Sequence, residues 1–135
     1  METTKKIIFT NGCFDILHIG HISLLEHAKS LGDYLIVGIN SDDSVRKLKG
    51  PNRPINKEDN RKKVLESIKY VDQVVIFNEE TPYNLIKKIM PDIIVKGGDY
   101  NKENVVGKEF AEIVIFEYIK EYSTTNIVKK LEEKL

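Results

Sequence analysis

Two histidines, His18 and His21, are the residues whose types and spacing best suit catalysis. They close the segment 11–21, which reads NGCFDILHIGH and runs directly into a helical pattern. Residues three apart share one face of a helix, so both imidazoles can point at the same group. A helix start also offers unpaired N–H groups and the positive end of the helix dipole, which favour phosphate, and Gly12 and Gly20 let the backbone approach it closely. The segment therefore predicts a phosphate site.

The chemistry that such a site favours is transfer at a phosphorus atom. An attacking phosphate oxygen is already a competent nucleophile and pyrophosphate is a good leaving group, so no serine or cysteine nucleophile is needed. Imidazole N–H groups aimed at the non-bridging oxygens stabilise the charge that develops there. Losing one such donor typically costs about 10²- to 10³-fold in rate. We interpret the two histidines as donors of this kind.

Two other interpretations of the same histidines stay open. They could ligate zinc together with Cys13 and Asp15, although no Cys-x-x-Cys or His-Glu-x-x-His pattern supports a zinc site. They could also be purely structural. Cys13 itself is interpreted as a small buried hydrophobe, because no base and orienting group for a thiolate are evident.

Short apolar runs alternate with stretches of helical period, and these elements must position the histidines. The alternation is typical of βαβ units around a parallel sheet, and runs rich in Ile, Val and Phe indicate strands buried on both faces. Ligands of such sheets bind outside the carboxyl ends of the strands, where the segment 11–21 would lie. The pattern predicts one Rossmann-like three-layer α/β domain over residues 1–135, with a five-stranded parallel sheet flanked by helices. The predicted strands are Lys6–Phe9, Tyr34–Ile39, Gln73–Phe77, Ile93–Lys96 and Ile113–Phe116.

Helical patterns lie between and after the strands. The first predicted helix, His21–Leu31, follows the histidine segment directly. Asn56 is predicted to cap the second helix and Thr81 the third, with Pro82 in the favoured first helical position. The stretch Leu48–Asn56 is the most loop-like interior segment and a candidate mobile lid. The later helices are predicted at Lys57–Tyr70, at Pro82–Met90 and from Ser123 to Leu135.

Composition excludes several classes of partner. The sequence has 135 residues and balances 21 Lys and Arg against 21 Asp and Glu, so it offers no overall cationic field for nucleic acid or an anionic membrane. No apolar run approaches the roughly 20 residues that span a bilayer, and no signal-peptide core follows the first residues. The single cysteine cannot form an internal disulfide. We therefore expect a cytoplasmic protein that binds neither nucleic acid nor membrane.

The segment 18–21 (HIGH) resembles the His-x-Gly-His signature of the cytidylyltransferase-like branch of the nucleotidyltransferase superfamily. The segment 12–15 (GCFD) is similar to the residues that precede this signature. Further matches extend the resemblance over essentially the whole chain. They are 40–42 (NSD), 48–50 (LKG), 53–54 (RP), Arg61, 71–72 (VD), 91–92 (PD), 96–100 (KGGDY) and 123–127 (STTNI).

Within this family the matches are most similar to heptose 1-phosphate adenylyltransferases, which make an ADP-heptose from D-glycero-β-D-manno-heptose 1-phosphate and ATP. Glycerol-3-phosphate cytidylyltransferases, which use CTP, are the alternative. They usually carry an arginine and a glycine shortly before Ser-Thr-Thr, whereas this chain has 118–122 (YIKEY) there. Heptose adenylyltransferases tend to have Gly-Cys before the same motif, so Glu121 and Tyr122 also depart from their pattern. The resemblance implies a stand-alone form without the sugar kinase that often accompanies this domain.

The resemblance also implies roles for individual residues. His18, His21, Lys49 and Arg61 would be catalytic, with the lysine in a mobile loop after the second strand and the arginine reaching substrate or triphosphate. Mg²⁺ is the expected cofactor, held mainly through the triphosphate, with Asp15 as the possible protein contact. The expected partners are ATP or CTP, a small phosphorylated substrate, and a second copy of the chain in a homodimer. The implied nucleotide-binding residues are Gly12, Cys13, Phe14, Asp15, Gly20, Lys47, Gly97, Gly98, Asp99, Ser123 and Thr124.

Overall fold

A five-stranded parallel sheet forms the centre of the protein in the computed structural model, which describes residues 5–98, 101–117 and 124–134. The strands are β1 (Ile7–Gly12), β2 (Tyr34–Asn40), β3 (Gln73–Phe77), β4 (Ile93–Gly97) and β5 (Glu112–Phe116), in the spatial order β3-β2-β1-β4-β5. The predicted Rossmann-like sheet is confirmed. The helices are α1 (Ile19–Ser30), α2 (Asp42–Lys49), α3 (Glu58–Glu66), α4 (Tyr83–Ile89) and α5 (Thr124–Lys134), with a 3₁₀ turn at Lys102–Asn104.

Strand β1 lies in the middle of the sheet and sets the position of the histidine segment. It pairs with β2 from Ile7 to Gly12 and with β4 on its other side. The chain order therefore reverses at β1, and ligands of open α/β sheets bind at such a switch point, outside the carboxyl ends of the strands. The segment 11–21 leaves β1 at that end.

The side chains of the sheet fill two cores, one on each face. Ile8, Val37 and Val95 belong to the core that packs against Leu24 and the rest of α1. On the opposite face Phe9, Ile36 and Ile94 pack with Ile86 of α4 and with Val105. Because successive residues of a strand point to opposite faces, this division confirms the prediction of strands buried on both sides.

Helix α2 is an element that the sequence patterns did not predict. It begins after Ser41, whose hydroxyl accepts a hydrogen bond from the main-chain N–H of Ser44. Its buried residues are Ser44 and Val45, and its sequence DDSVRKLK is otherwise largely charged. A helix that buries so small an apolar face gives a weak periodic signal. The residues predicted as a loop therefore begin within a helix, which ends at Lys49.

The predicted caps of the next two helices were wrong. Lys57 occupies the cap position of α3 without a side-chain hydrogen bond, because the Asn56 amide donates instead to the Asp15 carbonyl. Pro82 precedes α4 at its cap position, and no side-chain cap is present there. Helix α3 ends at Glu66, four residues earlier than predicted, and α1 begins two residues earlier, at Ile19. In the described residues, no helix combines the length and the apolar character that crossing a membrane requires.

Candidate active site

The two histidines are fixed by hydrogen bonds at the start of α1. The Nδ1 atom of His18 accepts from the Gly20 N–H at 3.0 Å, and the His18 N–H donates to Nδ1 of His21 at 3.3 Å. The two residues thus cap the helix reciprocally. A neutral imidazole whose Nδ1 accepts a hydrogen bond carries its proton on Nε2. Both rings are therefore donors through Nε2.

The two rings lie together, as their spacing predicts. Their centroids are 3.9 Å apart, and the Phe14 ring lies 5.2 Å from that of His21. The Nε2 atom of His18 is buried and has no hydrogen-bond partner among the described residues. Leaving a buried donor unpaired costs about 1 to 3 kcal/mol. A ligand oxygen that accepts from this atom would recover that free energy.

The surroundings of the histidines keep both rings neutral. Burial lowers the pKa of His18. Burial, the neighbouring His18 and the charge of Lys49 lower the pKa of His21 to about 3. Each ring therefore remains a neutral N–H donor near pH 7.

Helix α2 brings one predicted lysine close to this pair. Lys49 is exposed at the end of the helix, and its charge acts on His21. It therefore lies on a helix end rather than in the expected mobile loop. Lys47 is exposed on the same helix, and its contact with a nucleotide stays a prediction.

Asp15 anchors the loop after α2 to the histidine segment. Its buried carboxylate accepts from Nε of Arg53 at 3.1 Å and from the main-chain N–H groups of Ile55 and Asn56, both at 2.7 Å. The far end of the predicted lid, Leu48–Asn56, is thus tied down. Both carboxylate oxygens already accept hydrogen bonds from the protein, so contact with a metal ion through Asp15 stays a prediction.

Arg61, for which the resemblance implies contact with substrate or triphosphate, is buried next to the histidine segment. The residue is 1% exposed, and its guanidinium donates to the carbonyls of Cys13, Asn40 and Asn56 at 2.8 to 2.9 Å. It also forms an ion pair with Asp42 at 2.9 Å. Nearly all of its donors are occupied by the loops that leave β1 and β2. Arg61 therefore holds the histidine segment against the loop after β2, and its contact with substrate or triphosphate stays a prediction.

The remaining residues of the segment contribute to its packing. A Cβ at Gly12 would lie 3.1 Å from the Phe14 ring, so glycine leaves the room that this buried ring occupies. Gly20 is buried in the first turn of α1. The Cys13 thiol is half-buried, 3.8 Å from Oδ1 of Asn40, in agreement with a packing role. The described part of the chain contains no group of three metal-binding side chains, so the zinc interpretation gains no support.

The predicted residues beyond β4 are only partly described. Gly97 ends the strand, and Gly98 has a positive φ of 109° and donates its N–H to the Phe116 carbonyl at 2.9 Å. Asp99 and Ser123 lie outside the described residues. Thr124 begins α5.

Sequence reasoning missed a pocket of about 200 Å³ at the carboxyl ends of β1 and β4, which polar and apolar side chains line together. Lys96 lies in a matched motif, but no role was assigned to it. The sequence signal that could have indicated the pocket was this lysine near the end of an otherwise apolar strand, because lysine is rarely buried without a partner. The residues that line the pocket are Asn11, Glu80, Thr81, Pro82, Lys96, Asn104, Val105 and Val106.

Comparisons with known proteins agree with this geometry. A family model described as cytidylyltransferase-like matches residues 9–133. The bifunctional protein HldE of Aliarcobacter butzleri is 56% identical over 130 residues, and that of Helicobacter hepaticus is 56% identical over 129 residues. These alignments cover 96% and 95% of this chain but only 27% of each relative, so the chain spans about a quarter of their length.

Solved structures show the same fold. The lipopolysaccharide core biosynthesis protein of Thermoplasma volcanium superposes with a TM-score of 0.71 at 28% identity, over 85% of this chain and 97% of that one. A pantothenate synthetase from Thermus thermophilus superposes with a TM-score of 0.65 over 96% of this chain and 64% of that one. At 14% identity the second match supports the fold alone.

Proposed function

The chain belongs to the cytidylyltransferase-like family, and from this premise we propose that it is a nucleotidyltransferase that transfers AMP from ATP to a sugar 1-phosphate. The proposed acceptor is D-glycero-β-D-manno-heptose 1-phosphate, and pyrophosphate is released. The resemblance of the motifs to heptose adenylyltransferases supports this choice, as does the similarity to a protein named for lipopolysaccharide core biosynthesis.

The observation that carries the proposal is the orientation of the histidine pair. Both Nδ1 atoms accept main-chain N–H groups, so both rings offer Nε2–H, and that of His18 is buried and unpaired among the described residues. Preorganised donors of this kind stabilise an oxyanion without reorganisation at the moment of reaction. A neutral ring donates while keeping its proton, which suits charge stabilisation and not proton transfer.

The proposed reaction is a direct displacement at the α-phosphorus. An oxygen of the acceptor's phosphate attacks this atom and forms a new phosphoanhydride bond. The bond from the α-phosphorus to its bridging oxygen breaks, and that oxygen leaves with its electron pair as part of pyrophosphate. His18 and His21 donate from Nε2 to the non-bridging oxygens of the α-phosphate. The phosphate nucleophile is anionic, so the residues need not supply a general base.

Lys49 and Mg²⁺ have binding roles in this proposal. Lys49 is an exposed cation whose charge acts on His21, and it can neutralise triphosphate oxygens bound at the histidine pair. Mg²⁺ would be held mainly by the triphosphate, because no group of three carboxylate, histidine or cysteine ligands occurs in the described residues and both Asp15 oxygens are engaged. When bound, the ion supplies neutralisation of the triphosphate charge.

The test is a matrix of nucleoside triphosphates against phosphorylated acceptors, with pyrophosphate release as the readout. ATP with the heptose 1-phosphate should give the highest kcat/KM. The alternative, CTP with glycerol 3-phosphate or another small phosphorylated acceptor, is favoured by the family description and forms the second arm. Release with CTP alone would replace the adenylyltransferase by a cytidylyltransferase. No release with any pair would refute the proposed function.

Histidine variants test the mechanism in the same assay. His18→Ala and His21→Ala should each lower kcat by about 10²-fold or more with a smaller change in KM for the triphosphate. Replacement by asparagine keeps an acceptor for the helix cap and separates folding from catalysis. His27→Asn, in the same helix, is the matched control. Lys49→Ala should instead raise KM as well as lower kcat, because a lysine binds phosphate in ground and transition states alike. Near-normal turnover in both His→Ala variants would contradict the mechanism.

A further inference from the structure

The first residues of helices α2 and α3 cap each other. The Asp42 N–H donates to Oε1 of Glu58 at 3.0 Å, and the Glu58 N–H donates to Oδ1 of Asp42 at 2.8 Å. Both N–H groups belong to first turns, where a helix leaves its donors unpaired. Each carboxylate also lies at the positive end of the other helix, where a negative charge is stabilising. The pair therefore fixes the start of α2 against the start of α3.

This reciprocal contact also connects α2 to the histidine segment. Lys57, at the cap position of α3, makes no side-chain hydrogen bond, and Asp42 supplies the missing acceptor from the neighbouring helix. The same Oδ1 atom of Asp42 accepts from Arg61 at 2.9 Å, and the Arg61 guanidinium donates to the Cys13 carbonyl. The start of α2 is thus held in a fixed relation to the segment that carries His18 and His21.

The other end of α2 has little support of its own. Residues 46–49 are all exposed, and a Cβ on the following Gly50 would have no atom within 4 Å. Lys49, the cation whose charge acts on His21, is the last residue of this exposed end. The position of Lys49 therefore depends on how the start of the helix is held.

We propose that Glu58 is a positioning residue for the transfer reaction, which acts through α2 to place Lys49 at the histidine pair. The inference rests on the proposed function and adds a residue to it. Glu58 lies outside every motif that carries the family resemblance, and only its contact with Asp42 reveals the role.

The length of α2 sets the size of the expected effect. An eight-residue helix is about 12 Å long, so a tilt of about 10° at its start moves its end by about 2 Å. Misplacement by about 1 Å of a group that acts on the substrate can cost about 10²-fold in rate. Because Lys49 is one of several groups proposed to act on the triphosphate, we expect a loss of about 10-fold when the contact is removed.

A double-mutant cycle with Lys49, measured on the full chain, tests this inference. Glu58→Ala should lower kcat/KM for the triphosphate by about 10-fold, with the same rise in KM and fall in kcat as Lys49→Ala. In the Lys49→Ala background the same change should cost less than about twofold, because the group that Glu58 places is already absent. A purely structural role would give the same loss in both backgrounds.

Three further variants separate reach, charge and folding. Glu58→Gln keeps an oxygen for the Asp42 N–H and should recover most of the activity. Glu58→Asp keeps the charge at the helix start, but its shorter side chain draws the carboxylate away from Asp42, so it should share the loss. It replaces Glu58→Ala in the cycle if the alanine variant does not fold. Asp59→Ala, exposed in the same turn, is the matched control and should leave kcat/KM within about twofold.

The NMR signals of the His21 ring give a readout that needs no turnover. Glu58→Ala and Lys49→Ala should shift them in the same direction, and the two changes together should shift them no further than Lys49→Ala alone. If the wild type releases no pyrophosphate with any substrate pair, the proposed function fails and these signals still test the positioning. Equal losses of kcat/KM in both backgrounds, or His21 signals that Glu58→Ala leaves unchanged, would overturn the inference.

Discussion

Acidification should destabilise the protein through His21, whose neutral form the fold requires. Its Nδ1 accepts the His18 N–H, and the ring is largely buried, so a proton on Nδ1 would break a hydrogen bond and place a charge next to His18 and Lys49. The folded pKa is about 3, against an ordinary value of 6.5. Below the ordinary value the unfolded chain binds a proton that the folded chain does not. Unfolding free energy therefore falls as the pH falls through this window.

The loss of unfolding free energy depends on how far the pH falls below the pKa of His21 in the unfolded chain. Each pKa unit corresponds to about 1.36 kcal/mol, and a change from about pH 7 to about pH 5 crosses roughly 1.5 units below the unfolded pKa. His21 should therefore account for about 2 kcal/mol of lost stability over that change.

Urea unfolding of the wild type and His21→Asn at both pH values isolates this contribution. Asparagine offers an oxygen to the His18 N–H but does not titrate, so the variant retains the other acid-sensitive groups. The wild type should lose about 2 kcal/mol more than the variant on acidification. Equal losses of unfolding free energy in the two proteins would refute this prediction, because they would show that protonation of His21 does not destabilise the fold. A larger loss in the variant would refute it as well.

Further measurements address stability and assembly. Asp15→Asn should lower the unfolding free energy by about 2 to 4 kcal/mol, because either orientation of the new amide turns its NH₂ group toward a main-chain N–H donor. The control, Asp59→Asn at an exposed position, should change the unfolding free energy by about 0.5 kcal/mol or less. Gly107→Ala should cost about 2 to 4 kcal/mol, since φ is 95° and the new Cβ would lie 2.7 Å from the Ile94 side chain. Gly50→Ala, with a φ of 102° and no atom within 4 Å, should cost about 1 to 2 kcal/mol, and equal losses at both glycines would contradict the packing argument. We also propose a homodimer, and sedimentation of a monomer at micromolar concentration would exclude it.

The sheet could be predicted from the sequence because its strands carry a strong local signal. Runs such as Tyr34–Ile39 are apolar on both faces, and each predicted strand corresponds to one in the structure, with ends that differ by up to three residues. The proximity of His18 and His21 could also be predicted from the sequence, because a three-residue spacing at the start of a helix places the two side chains on the same face. The tautomers of the two imidazoles could be assigned only from the structure, because they depend on the hydrogen bonds that the Nδ1 atoms accept from main-chain N–H groups.

The anchoring of the site could not be predicted in the same way. Arg61 binds Cys13 and Asn40, which are 48 and 21 positions away in the chain, and Asp15 binds residues 38 to 41 positions away. The hydrophobic periodicity of the sequence does not indicate such contacts, because they depend on how the loops after β1 and β2 pack against each other. A motif match shows that an arginine belongs near the site, but not whether its guanidinium faces a ligand or the main chain.

The reversal of strand order at β1 has an evolutionary consequence. The histidine pair lies at the start of α1, whereas the walls of the 200 Å³ pocket come from residues 80–82 and 104–106, which follow other strands. Mutations in those two segments can reshape the pocket without breaking the hydrogen bonds of the reciprocal histidine cap. Sequence change can thus accumulate in these short loops while the histidine segment is inherited unchanged.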